Sequence, residues 1–185
     1  MPMFLRKFLH NLFVLLMKVT VKFAPSARHM VFAGSGSSRQ LCVHVLRTGV
    51  RKVLVVTDKP LRDLGIVDTA ISALTGGGVD IAYYDGVQPD PTYEQVLEGI
   101  AVAKQHASEA VVAVGGGSSM DAAKIIAAGA TSDDSPRDWI GFGKVKHEVL
   151  PLYAIPTTSG TGSEATIGAV ISDAQTHVKS VITGA

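Results

Sequence analysis

Residues 110–124 read AVVAVGGGSSMDAAK. Residues 110–114 are apolar without a break, the pattern of a strand buried on both faces of a sheet. Gly115, Gly116 and Gly117 follow, and residues 118–128 carry a helical pattern. A buried strand, a tight glycine turn and a helix form the first part of a βαβ unit. The same alternation extends outward in both directions. Toward the N-terminus, residues 38–46 have helical spacing (Leu41, Val45 and Leu46 apolar) and close at Gly49. Residues 53–56 are a buried strand ending in Thr57 and Asp58. Residues 67–74 are a helix stopped by Gly76, Gly77 and Gly78, and residues 79–84 a strand ending in Asp85 and Gly86. The loop Gln88-Pro89-Asp90-Pro91 stops any helix, and Thr92 is a good N-cap for one running to His106. Toward the C-terminus, residues 152–155 are a further strand ending in Pro156, Thr157 and Thr158. Residues 29–33 are a short apolar run before a Gly34-Ser35-Gly36 turn. Residues 131–148, with the only tryptophan (Trp139), look like a surface excursion. Repeated strand–helix alternation predicts an α/β fold, a doubly wound and mostly parallel Rossmann-like sheet with helices on both faces.

Composition agrees. The chain has 185 residues, 46% hydrophobic and only 18% charged, with a mean hydropathy of +0.28. Such a chain is not a disordered or solvating segment, and it is long enough to bury roughly 70% of its unfolded surface. A net charge of +1 lacks the basic excess of a nucleic-acid binder. The charge is uneven, however. Residues 1–30 hold Arg6, Lys7, Lys18, Lys22 and Arg28 and no acid, a net +5; the other twelve bases face sixteen acids, a net −4. A single cysteine, Cys42, cannot form an internal disulfide and fits a reducing compartment, so a cytoplasmic location is expected.

The N-terminal stretch divides the chain into an expected helical extension, 1–24, and an expected dinucleotide-binding domain, 25–185. The longest apolar piece of the extension, residues 12–17, is six residues, against about 20 for a membrane span, so no transmembrane segment is expected. Phe4, Phe8, Leu12 and Leu15 form one helical stripe. The plain reading is a helix packed on the body or on another subunit. An interfacial membrane anchor and a targeting peptide stay open.

In doubly wound sheets, ligands bind beyond the C-terminal ends of the strands, so chemistry is sought there. Three glycines let a backbone approach a ligand without Cβ obstruction, and the helix after them offers free N–H groups and a positive dipole end to a phosphate. Ser118 supplies a hydroxyl. Asp121 suits a capping-box-like bond back to the loop, and Lys124 balances the local charge. No Gly-Lys-Ser/Thr occurs, which excludes a Walker A loop, and Gly34–Arg39 (GSGSSR) lacks the third glycine of the usual dinucleotide fingerprint. Asp58 can accept hydrogen bonds from an adenosine ribose and repel a 2′-phosphate; a helix N-cap explains it nearly as well. Residues 156–164 read PTTSGTGSE, rich in hydroxyls and glycines and suited to ribose and phosphates. No G-x-S-x-G occurs, so a serine hydrolase is excluded. No two of the six histidines are spaced i, i+4, and no Cys/His cluster exists, so no metal ligand is assigned.

Together these strings resemble the iron-containing (group III) alcohol dehydrogenase family. The matching pieces are VTDK (56–59), GVQPDPT (86–92), GGGSSMDAAK (115–124) and IPTTSGTGSE (155–164), with Ser172-Asp173 and His177-Val178-Lys179 beyond them. The resemblance covers about residues 25–185 and implies a dehydroquinate synthase-like N-terminal domain that binds NAD rather than NADP. By matching position, Asp58 faces the adenosine ribose, and Asp90 stands near the adenine side where the family commonly has Asn. Gly116, Gly117 and Ser118 cradle the pyrophosphate. Thr157, Thr158 and Thr161 surround the phosphates and nicotinamide, Val170 backs the nicotinamide, and Lys179 reaches its ribose. The sequence departs from the pattern at Ala165 and at Ile167-Gly168. The resemblance also implies Fe²⁺ or Zn²⁺, held by an all-helical C-terminal domain expected outside these residues. It therefore implies hydride transfer between NAD and a small alcohol or aldehyde, no catalytic residue in this chain, and a catalytically incomplete module when alone. A homo-oligomer is compatible. A glycerol dehydrogenase-like relative and a non-catalytic dinucleotide-binding module are the alternatives.

Overall fold

The computed structural model describes residues 3–23 and 29–184. The chain divides into two compact units, residues 1–31 and 32–185. The first holds helix α1 (Met3–Phe23). Residue 24 and the start of the expected 25–185 domain, through residue 28, lie outside the described residues.

The second unit is built on a four-stranded, all-parallel sheet: β1 (Lys52–Val56), β2 (Asp80–Tyr84), β3 (Ala110–Gly115) and β5 (Leu152–Pro156), in the order β2-β1-β3-β5. Helices cover both faces, as predicted. Along β1 the side chains alternate. Val53 and Val55 enter one core with Cys42, Val45, Ile71 and Leu74, from helices α2 (Ser37–Arg47) and α4 (Ile66–Gly76). Leu54 and Val56 enter the other, with Val96, Ile100, Ile125 and Ile126 from helices α5 (Tyr93–His106) and α6 (Gly117–Gly129). A strand buried on both faces must be apolar at every position, which is why 53–56 and 110–114 read as unbroken runs. Helix α5 starts where Thr92 predicts: its side chain accepts a bond from the Gln95 amide, and the Gln95 side chain accepts one from the Thr92 amide, a complete capping box. At α5 and α6 the backbones lie so close that a Cβ on Gly99 would strike Ile126, and one on Gly129 would strike Ile100.

The structure adds to or corrects the sequence reading at four places. Helix α3 (Lys59–Asp63) intervenes after β1, with Asp58 as its N-cap. Residues 29–33 have no regular structure, and Met30 and Val31 are exposed. Helix α6 begins at Gly117, one residue early. Residues 131–148 are not a surface excursion: Pro136–Trp139 is a 3-10 helix, Trp139 is only 3% exposed, and Gly141–Val145 is strand β4. It joins a second sheet, order β4-β7-β6, in which β6 (Gly168–Ser172) and β7 (Lys179–Gly184) are antiparallel. This sheet packs Ala169, Ile171 and Ile182 into the core shared with α6.

Candidate functional site

The strand order reverses between β1 and β3: β1 connects to β2 on one side, and β3 to β5 on the other. A crevice at such a switch point is where open α/β sheets take ligands, and the strand ends singled out in the sequence meet there. Thr57 continues β1 with its amide bonded to the Tyr84 carbonyl, and Asp58 bridges Gly86. Gly115 pairs with Pro156, and the Thr157 amide donates to the Gly115 carbonyl at 2.9 Å.

The glycine turn is tight for a structural reason first. A Cβ on Gly115 would lie 2.6 Å from the Ser119 Cβ, so the turn folds directly onto the first turn of α6. The same added atom would lie 3.7 Å from Asp58 Oδ2, which sets that carboxylate oxygen beside the turn. Asp58 Oδ1 is occupied: it accepts from the Leu61 amide at 2.9 Å. The N-cap role of Asp58 is thus present, and its second oxygen faces the glycines. Helix α6 has Gly116 as N-cap and no side-chain cap; the first amides of a helix lack intrahelical acceptors. Over them lies the hydroxyl-rich loop. A Cβ on Gly116 would meet Thr158 Oγ1 at 3.2 Å, and one on Gly117 would meet Ser163 Oγ at 3.2 Å and Thr161 Cβ at 3.6 Å. Gly116, Gly117, Ser118, Thr157, Thr158 and Thr161 are therefore gathered at one place. Thr161 Oγ1 also donates to Glu164 Oε2 at 3.2 Å and accepts from the Ser163 amide. Ser163 and Glu164 were not singled out from the sequence, although both lie within the 156–164 string.

Asp121 does not cap α6. With Gly116 as N-cap, the capping position falls on residue 119, two before Asp121. Asp121 instead accepts from the Val170 amide at 3.0 Å through Oδ2, tying α6 to β6. Lys124 Nζ donates to the Gly168 carbonyl at 2.6 Å and to Thr166 Oγ1 at 2.9 Å, and lies 3.5 Å from Asp121 Oδ1. Burial pushes the Lys124 pKa down, and the Asp121 charge opposes that shift. These bonds fix Val170, whose side chain stays exposed.

Asp90 and Lys179 meet each other. Ser172 pairs with Lys179 across the β6–β7 ladder, and its amide donates to the Pro91 carbonyl at 2.8 Å. That register brings Lys179 to Asp90, and Nζ meets Oδ1 at 2.6 Å. The resemblance assigns these two to opposite ends of an extended dinucleotide. While this bond stands they cannot serve both ends. Next to them, Arg137 was missed by the sequence reading: it pairs with Asp173 at 2.5 Å and stacks over the Tyr93 ring. The Arg137 guanidinium, with the Thr176 and Gln175 amides, holds the Asp173 carboxyl well below the usual carboxylate range. Cys42 is fully buried, and burial pushes its thiol up, so it is not a nucleophile here. Among the described residues, no three His, Cys, Asp or Glu side chains come together as a metal-binding group.

A family model for iron-containing alcohol dehydrogenase matches residues 28–185. The chain is 39% identical over 146 residues to an NAD-dependent methanol dehydrogenase of Bacillus methanolicus, covering 79% of this chain and 38% of that one. It superposes on an alcohol dehydrogenase from Oenococcus oeni with a TM-score of 0.78 at 33% identity, covering 83% of this chain and 40% of that one. A sulfoacetaldehyde reductase from Bifidobacterium kashiwanohense, solved with NAD⁺, gives a TM-score of 0.74 at 29% identity, covering 85% and 44%. The chain thus spans about two fifths of the length of the relatives it matches.

Proposed function

Because the chain belongs to the iron-containing alcohol dehydrogenase family, an oxidoreductase family, we propose that residues 32–184 are the NAD-binding part of an enzyme that moves hydride between an alcohol and the nicotinamide. One observation carries this reading. The uncapped start of α6, the glycine turn and the 157–163 hydroxyl loop lie against one another, with a carboxylate oxygen of Asp58 beside them. That donor set fits a dinucleotide. Free amides of an N-terminal helical turn match a pyrophosphate, and they do so without side-chain cations, which suits a helix whose own ammonium, Lys124, is spent on Gly168 and Thr166. Thr157, Thr158 and Ser118 add hydroxyl donors. Asp58 Oδ2 can accept from the adenosine ribose hydroxyls and would repel a 2′-phosphate. The relatives named for NAD or solved with it point the same way.

In the reaction the alcohol carbon gives hydride to the nicotinamide and its hydroxyl loses a proton, leaving a carbonyl. Val170, whose amide Asp121 holds, would support the nicotinamide face, as the family resemblance implies. The family's metal would polarise the alcohol oxygen. No donor set for it exists among the described residues, so no step is assigned to it, and dinucleotide binding rather than turnover is the activity proposed for these residues.

The test is a titration of the chain with NADH and NADPH, followed by nicotinamide fluorescence. NADH should bind the more tightly, and Asp58→Ala should narrow the difference between the two. If neither binds, the reading fails. If preference is unchanged in Asp58→Ala, Asp58 leaves the ribose.

A further inference from the structure

Helix α1 lies outside residues 32–184, to which cofactor binding is proposed. At about 100° per residue, Phe4, Phe8, Leu12 and Leu15 fall within about 80° of one another. Leu9 and Phe13 widen the apolar arc to about 180°, and Arg6, Lys7, His10 and Asn11 share the opposite arc with Met3 and Val14. The apolar arc is open: Phe4 is 82%, Phe8 56% and Phe13 62% exposed. The charge around it has one sign. The first acidic residue of the chain is Asp58, and nine Lys and Arg precede it. An apolar face backed by cations, in a stretch with no acid before residue 58, complements an anionic lipid surface: acyl chains take the aromatic and aliphatic side chains, and headgroups take the ammonium and guanidinium groups. Two copies of α1 would bring like charges together, and another protein's apolar groove would need an acidic rim to match the cations. Among the described residues, no helix is long and apolar enough to cross a membrane.

We propose that α1 lies in the plane of an anionic membrane surface, with Phe4, Phe8, Leu12 and Phe13 among the acyl chains and Arg6 and Lys7 at the headgroups. The attachment is reversible, since one amphipathic helix is far weaker than a spanning one, and it weakens with salt, since its electrostatic part is screened.

Flotation of the whole chain with two vesicle populations tests this. One is phosphatidylcholine alone, and the other contains about one third phosphatidylglycerol. Binding to the anionic vesicles and not to the neutral ones is expected. Arg6→Gln with Lys7→Gln should weaken it about 30-fold, at about fivefold per charge. Phe8→Ser and Leu12→Ser should each cost about tenfold. NADH affinity should be the same in all variants, which separates this proposal from the cofactor reading. Equal binding to both vesicles, no binding, or indifference to these substitutions overturns it. So does a dimer that Phe8→Ser abolishes and anionic vesicles do not compete away, which would assign the face to a second copy. A chain isolated from cells without its first residues would mark a removable leader and overturn it as well.

Discussion

Replacing Asp121 by Ala probes a hydrogen bond that links the glycine-turn helix to the second sheet. Asp121 Oδ2 accepts from the Val170 amide at 3.0 Å, and Oδ1 lies 3.5 Å from the Lys124 ammonium. Both side chains are largely shielded, at 14% and 16% exposure. A hydrogen bond to a charged group contributes about 1.5–3 kcal/mol. Breaking a shielded pair also strands the remaining charge, here Lys124, whose burial already lowers its pKa; with only two neutral acceptors left, that adds about 1 kcal/mol. The expected loss is about 2–4 kcal/mol, or about 5–15 °C in Tm for a domain of this size, read by circular dichroism on heating. Asp121→Asn keeps an acceptor for Val170 and should lose about half as much. In Asp121→Ala with Lys124→Met, the stranded ammonium is gone, so the double variant should be more stable than the sum of the singles by about 1 kcal/mol. If Asp121→Ala lowers Tm by less than about 2 °C, or the two substitutions add without coupling, then Asp121 does not hold β6 to α6.

The remaining predictions concern separate contacts. Thr92→Ala removes the α5 cap and should cost about 1 kcal/mol in urea unfolding, whereas Thr92→Ser should cost little; equal losses would refute the capping role. Asp90→Asn breaks the Lys179 ion pair, both partners of which are over half exposed. Stability should change by less than about 1 kcal/mol, and NADH should bind more tightly if Lys179 is thereby freed for the cofactor; weaker binding would place Asp90 itself on the ligand. Asp173 has its carboxyl pKa depressed in the folded state by Arg137. Its contribution is therefore complete above the unfolded value of about 3.9 and lost as pH falls through the lower folded value. Asp173→Asn should be less stable than the parent chain at pH near 6, with the gap closing below about pH 4; a gap that stays constant with pH would refute the ion pair.

The legible parts of the sequence were those where local chemistry and tertiary packing agree. The runs at 53–56 and 110–114 are buried on both faces, so every position had to be apolar, and Thr92 with Gln95 carries its capping box in four residues. The glycine turn and the 156–164 string could be placed at neighbouring strand ends because both follow strands of one parallel sheet. The second sheet was not legible. Strands Gly141–Val145, Gly168–Ser172 and Lys179–Gly184 contain glycines and polar residues and are stabilised by pairing with one another across some 40 positions of sequence, as at Gly141 and Ile182. Trp139, read as exposed in a polar segment, is buried because that sheet and α6 close over it. Asp121 was misread for a simpler reason: a one-residue error in the start of α6, together with an assumed cap, put a carboxylate in the wrong turn. Neither the Asp90–Lys179 contact nor the Arg137–Asp173 contact leaves any local trace, since each joins residues far apart in the sequence.

The central claim is that NAD sits at the start of α6, under the 157–163 loop. Backbone amide shifts measured by NMR during an NAD⁺ titration test it most directly. The account predicts that the amides of Gly116, Gly117, Ser118 and Ser119, and those of Thr157 and Thr158, move together and saturate at one affinity. Those lining the hollow between the C-terminal ends of α5 and α6, such as Ala107 and Ser132, should stay fixed. Saturating shifts in that hollow with an unmoved glycine turn, or no shifts at all, would contradict it.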